Sequence, residues 1–181
     1  MTVFDAIKKR TSYRGEFEQI AIPRDDLIKI MEAGLAAPSG CNTQTTSLIA
    51  IDDKDLLKKL YDVIQPRVEK TATAMICVLT QETVAYRDGD KDVYFNVQDY
   101  SAAIQNMLLA TVELGYETCW YEGQITDAEK KGREMANILG VPQDYELVCY
   151  LPIGVATNPI KFPTKKPFGE RAWFNGFKKT E

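Results

Sequence analysis

The chain has 181 residues, 22 Lys and Arg against 26 Asp and Glu, and a net charge of −4. Its length and 45% hydrophobic content suit one domain with a sizeable core, and its acidic balance argues against nucleic acid as a partner. There is no histidine, which removes His-based nucleophile pairs, histidine metal ligands and the commonest general base.

Thr2 has the character of a helix N-cap, with Asp5 at the third helical position and Val3, Phe4 and Ile7 as the apolar face. This helix delivers the cationic, hydroxyl-bearing run Lys9-Arg10-Thr11-Ser12-Tyr13-Arg14 to a loop. A second helix is predicted after Ile22, with Pro23 near its first turn and Asp25 and Asp26 favoured by the helix dipole. Leu27, Ile30, Met31 and Leu35 form its stripe, and Pro38 ends it by pushing Ala37 out of helical geometry. Residues 39–44 follow as a polar loop. Residues 47–51 read as a short buried strand, and Asp52 and Asp53 open a helix carrying Leu56, Leu57, Leu60, Tyr61 and Ile64.

Residues 75–79 are the next strand, and the polar residues 81–96 read as an exposed loop or lid. From 99 to 114, Tyr100, Ala103, Ile104, Met107, Leu108 and Val112 recur at helical spacing until Gly115 stops them. Few charges interrupt this helix, so it is expected to be buried on more than one side, centrally or at a dimer interface. Residues 118–121 read as a short strand. Thr126-Asp127-Ala128-Glu129 reads as the capping box of a helix running to Leu139, before Gly140 and Pro142. Residues 147–151 form the last clear strand. Helices thus interleave with strands, as in a layered α/β or α+β domain. After Val155 the chain becomes an extended arm ending in Trp173, Phe174 and Phe177, expected to dock on its own body or on a partner subunit.

No apolar run approaches the ~20 residues needed to cross a bilayer, and no signal-peptide pattern opens the chain. A cytoplasmic protein with no membrane partner is expected. Cys41, Cys77, Cys119 and Cys149 contain no C-x-x-C pair, so no metal site is expected; Cys77 and Cys149 lie in apolar runs and read as core. Basic residues crowd in two places, at 9–14 and through Lys161, Lys165, Lys166, Arg171, Lys178 and Lys179. These islands are either solvated faces near helix ends or one local anion site, for which a phosphate-bearing ligand is the natural candidate. No G-x-x-x-x-G-K-[ST] loop and no G-x-G-x-x-G after the first strand are present, which disfavours a triphosphatase or a Rossmann dehydrogenase. Without histidine, a cofactor that brings its own reactivity fits best.

Arg10-Thr11-Ser12-Tyr13-Arg14 and Ala37-Pro38-Ser39-Gly40-Cys41-Asn42-Thr43-Gln44, followed by Glu122-Gly123, Leu139-Gly140-Val141-Pro142 and Gly154, resemble the FMN-dependent nitroreductase family in order and spacing. The resemblance covers nearly the whole chain. It implies an α+β fold with a mixed, mostly antiparallel central sheet flanked by helices, in an intertwined homodimer. Residues 1–155 would be the FMN-binding core and 156–181 an extended arm docking on the partner. It further implies that Arg10, Thr11 and Ser12 hold the phosphate and ribityl end of FMN, with Arg14 at the pyrimidine edge of the ring. Pro38, Ser39, Asn42 and Gln44 would come from the second subunit. Glu122 and Gly123 would face flavin N5, and Lys165 and Lys166, with Arg171 as competitor, would add charge at the phosphate. Arg14, Glu122 and Gly123 would thus serve the chemistry.

The implied activity passes a hydride from NADH or NADPH, through the flavin, to an electron-poor small molecule such as a nitroaromatic or a quinone, by a ping-pong scheme. An FMN storage or sensing module without turnover, and reductive dehalogenation, are the alternatives. Gln44-Thr45-Thr46 departs from the family's Gln-Pro-aromatic, which leaves the substrate open.

Overall fold

The computed structural model describes residues 1–66, 69–126 and 130–177. The first helix, α1 (Val3–Lys9), starts on a capping box: Asp5 N–H donates to Thr2 Oγ1 at 3.2 Å, and Thr2 N–H donates to the Asp5 carboxylate at 3.1 Å. The Thr2 hydroxyl, donating to the Asp5 carboxylate at 2.7 Å, and then the Thr2 N–H hold that carboxyl below its ordinary value. The expected inward face is corrected. Ala6 is the buried residue, whereas Val3, Phe4 and Ile7 are 67%, 73% and 49% exposed. The small side chain of Ala6 lets α1 lie close on a later helix, which turns the larger apolar residues outward.

Helix α2 (Arg24–Leu35) begins just after Pro23 and buries Leu27 and Ile30, while Leu35, at its end, is exposed. Strand β1 (Thr46–Ile51) is an edge strand rather than a buried one, and only Ile51 is fully covered. Asp53 caps α3 (Lys54–Ile64) through Leu56 N–H at 2.8 Å, and Leu57, Leu60, Tyr61 and Ile64 are buried as the spacing requires. All seven residues of β2 (Ala74–Thr80) are buried because the strand is central and covered on both faces.

The segment expected as a loop contains an exposed hairpin, β3 (Tyr86–Asp88) with β4 (Lys91–Val93), closed around Gly89 at φ 59°. Helix α4 (Asn96–Glu113) starts before the apolar periodicity does. It packs against α2 and the sheet, so it is central, and Gly115 at φ 85° follows its end. The strand expected at 118–121 shrinks to β5 (Glu117–Thr118), with an isolated Tyr121–Tyr150 bridge beyond it. A short α5 (Gly123–Thr126) follows. Asp127, Ala128 and Glu129 of the expected capping box lie outside the described residues; Thr126, expected as the N-cap, is instead the last residue of α5, and α6 (Lys131–Ile138) begins after Lys130, which is left-handed at φ 46° and gives no side-chain cap. Strand β6 (Glu146–Gly154) closes the sheet, whose order is β1-β2-β6-β5.

Every ladder among the described residues is antiparallel, in keeping with the mostly antiparallel sheet expected. One face carries Ile76, Val78, Leu151 and Ile153 against α2 and α4, and the other carries Met75, Cys77 and Tyr150 against α3 and α6. The tail runs first along residues 16–18, with Glu18 N–H on Val155 O at 2.8 Å and Thr157 N–H on Glu16 O at 3.1 Å. Beyond it, Phe162, Phe168, Phe174 and Phe177 are exposed; Lys178 and Lys179 of the basic island lie outside the described residues.

Candidate functional site

After α1 the chain becomes extended at Arg10 (φ −60°, ψ 122°), and side chains then alternate in and out with the period of two that an extended backbone imposes. Thr11, Tyr13 and Phe17 are buried, and Ser12 and Arg14 are exposed. The inward set anchors the loop. Tyr13 packs edge-on against Phe17 at 5.1 Å, its N–H donates to Thr118 O at 3.0 Å, and its hydroxyl donates to Glu16 O at 2.6 Å. Residues of both sets, with the tail, line a hollow of about 300 Å³ that includes Thr11, Ser12, Tyr13, Arg14, Asn158 and Lys161. Thr11 Oγ1 donates to Lys161 O at 3.3 Å and fixes the tail there. Among the described residues, no carboxylate forms a salt bridge with Arg10, Arg14 or Lys161. The hollow is therefore cationic and holds hydroxyl and amide donors, which suits an anion such as a phosphate. The structure brings Lys161 here and leaves Arg10, Lys165, Lys166 and Arg171 outside its lining.

The second loop leaves α2 through Pro38 and turns sharply at Gly40–Asn42. Cys41, Asn42 and Gln44 hold left-handed backbone conformations, at φ 51°, 56° and 50°. Ser39 Oγ accepts from Gln44 N–H at 3.0 Å. From α4, the buried Asp99 carboxylate accepts from Gly40 N–H at 2.8 Å and from Thr45 Oγ1 at 2.9 Å. Pro38, Ser39, Gln44, Thr46 and Asp99 line a hollow of about 190 Å³. Asn42 is exposed at the tip of the turn.

The third predicted segment also hangs from α4. Tyr100 donates its hydroxyl to Glu122 Oε1 at 3.0 Å, and burial followed by the Glu122 charge pushes the Tyr100 hydroxyl far above its ordinary pKa. Glu122 O accepts Ile125 N–H at 2.7 Å, so Glu122 and Gly123 form the entry to α5. A cleft of about 650 Å³ borders this segment at Ile125 and Thr126 and is also lined by Thr80, Asn96, Arg133 and Glu146.

Residues 40–45 and Glu122 thus both bond to the N-terminal part of α4, whereas residues 10–15 meet the chain beyond its other end, where Tyr13 N–H donates to Thr118 O. Asp99, Tyr100 and Lys161 are the additions. The signal for the first was an acid opening the most apolar helix; nothing in the irregular tail distinguished Lys161 from its neighbours. Among the described residues, no group of three or more Cys, Asp or Glu side chains could hold a metal ion.

A model of the nitroreductase family matches residues 7–76 and 67–155. An Archaeoglobus fulgidus protein, provisionally named NADH dehydrogenase/NAD(P)H nitroreductase, is 28% identical over 78% of this chain and 78% of its own. An iodotyrosine deiodinase of Nematostella vectensis is 24% identical over 92% of this chain and 72% of its own. The structure of a BluB-like flavoprotein from Clostridium difficile 630 superposes with a TM-score of 0.82 at 26% identity, covering 96% of this chain and 99% of that one. A nitroreductase with bound FMN from Bacteroides fragilis superposes with a TM-score of 0.72 at 26% identity, covering 91% and 94%.

Proposed function

The chain belongs to the nitroreductase family, and on that footing we propose that it is an FMN-dependent oxidoreductase working as a homodimer. When bound, FMN would supply two-electron chemistry, taking a hydride from NADH or NADPH and passing it to an electron-poor acceptor such as a nitroaromatic or a quinone. The observation that carries this reading is the hollow at residues 11–15, where Arg14 and Lys161, without a salt bridge among the described residues, stand beside Ser12. That donor set fits a phosphate-bearing cofactor.

In the proposal, Arg10, Thr11 and Ser12 hold the phosphate and ribityl end, with Lys161 as the nearest basic residue of the tail and Lys165 and Lys166 as further charge along it. Arg14 places a guanidinium at the pyrimidine edge, where a fixed positive charge stabilises the reduced cofactor. Pro38, Ser39, Asn42 and Gln44 of one chain serve the cofactor of the other. Glu122 and Gly123 present backbone groups to the reacting edge of the ring. No protein general base is needed, in keeping with the absence of histidine. The outward residues of α1 and the exposed aromatic arm support an apolar contact between two copies.

The test is a visible spectrum of purified protein reconstituted with FMN, recorded anaerobically before and after NADH and NADPH. Flavin absorbance that bleaches with either donor supports the reading; no flavin binding overturns it. Loss of a charge-assisted bond worth about 1.5–3 kcal/mol should weaken FMN binding at least about tenfold in Arg10→Ala. Arg14→Ala should lower the flavin midpoint potential more than the affinity, and an unchanged midpoint would contradict its role. The iodotyrosine deiodinase likeness favours reductive dehalogenation as a second reading. Halide release from a halogenated phenol under anaerobic reduction separates the two.

A further inference from the structure

The loop at residues 39–45 has a backbone that its sequence does not favour. Three of its residues adopt left-handed conformations, and none of the three is glycine. L-amino acids enter that region reluctantly, and several in one short loop persist only when the surroundings over-determine them. The surroundings supply three constraints. Ser39 Oγ takes the Gln44 N–H, the Phe95 ring lies so close over Gly40 that a Cβ there would collide with it, and Asp99 holds the loop from beneath.

Asp99 is 4% exposed, and its charge needs compensation at that depth. Two bonds provide it, Gly40 N–H at 2.8 Å and Thr45 Oγ1 at 2.9 Å, and its place in the first turn of α4 adds the favourable end of a helix of 18 residues. Thr43 Oγ1, whose proton goes to Gly40 O at 2.9 Å, lies 3.4 Å from the same carboxylate. A side chain 59 positions away from Gly40 thus joins the two ends of the turn, one through the backbone and one through a hydroxyl.

Resting on the flavoenzyme reading above, we propose that Asp99 is a positioning residue of the cofactor site: its buried carboxylate holds residues 39–45 in the shape that presents Ser39, Asn42 and Gln44 to the flavin of the other subunit. It touches no cofactor. It acts by fixing in advance a loop that would otherwise have to be ordered when FMN binds, and that ordering would weaken affinity.

The experiment combines FMN titration with amide hydrogen exchange on the full chain. Asp99→Ala should raise the FMN dissociation constant at least tenfold and accelerate exchange of the Gly40 amide, while amides at Ile104 and Met107 in the same helix stay protected. Asp99→Asn can offer its oxygen to Gly40 N–H and its amide to the Thr45 hydroxyl oxygen, so it should restore both readouts to within about threefold of wild type. Thr45→Val, which removes one of the two bonds, should fall between, and it carries the test if Asp99→Ala does not fold.

Gly40 exchange that is unchanged in Asp99→Ala, or in Thr45→Val, overturns the hold on the loop. Fast Gly40 exchange with unchanged FMN affinity overturns its link to the cofactor, as does failure of Asp99→Asn to rescue. If wild-type protein takes up no FMN, the flavin reading fails. The exchange measurement then decides by itself whether Asp99 organises this loop.

Discussion

The loops at 10–15 and 39–45, both proposed to serve a flavin, are held in opposite ways. The first is an extended stretch pinned from beneath by apolar weight, with Tyr13 and Phe17 buried and the charges left outside. The second is a tight turn with little apolar weight of its own, pinned by the buried Asp99 charge. In the first, residues that fix the shape and residues that offer chemistry are separate and alternate along the chain. In the second they are intermixed, because Ser39 and Gln44 also bond to each other. The first loop should therefore tolerate changes to its charged groups without losing its fold, and the second should not tolerate small changes at all.

The largest effect that sharpens this contrast is expected at Tyr13. Removing a buried aromatic typically costs about 3–5 kcal/mol, so Tyr13→Ala should shift the denaturant midpoint strongly. The exposed neighbour in Arg14→Ala should move it by less than about 0.5 kcal/mol. Equal destabilisation by the two would break the alternation argument. Next comes Gly40→Ala, in which one methyl group must displace the Phe95 ring. Overpacking of this kind costs about 1–3 kcal/mol, and denaturation with unchanged stability would show that the turn has slack.

A further effect is a dependence on pH. Glu117 pairs in β5 with Gly154, against which Phe17 packs, and burial pushes its carboxyl up from 4.5 to about 7. Between those values the folded chain keeps a proton that the unfolded chain has released. Stability from this group is complete below about 4.5, declines as pH rises and levels off above about 7. Denaturant midpoints across that window should slope downward in wild type and be flatter in Glu117→Gln. A wild-type curve that rises over the window would sink the assignment.

Elements whose burial follows their own periodicity were legible in the sequence. Leu57, Leu60, Tyr61 and Ile64 of α3, and Tyr100, Ala103, Ile104, Met107, Leu108 and Val112 of α4, all face the core as their spacing requires. The edge position of β1 was not legible, since Leu48 and Ile49 look equally apolar in an edge or a central strand. Nor was the outward face of α1, which depends on how closely Ala6 seats the helix. In the candidate site, Ser12 and Arg14, which line the hollow, were legible as candidates because the basic, hydroxyl-bearing run that holds them spans only residues 9–14. Asp99 could not, because its meaning lies in Gly40 and Thr45, 59 and 54 positions away. Lys161 enters through a tail without periodicity, where only the bond from Thr11 singles it out.

Of the four cysteines, Cys77, Cys119 and Cys149 are buried and Cys41 alone is exposed, at the crest of the turn that Asp99 holds. Burial also raises the Cys77 and Cys149 thiols well above their ordinary values, which withdraws their thiolates from reaction. The wild-type chain therefore carries one addressable thiol, and it lies on its most strained loop. A fluorophore or spin label attached there would follow the turn in real time without any engineered residue.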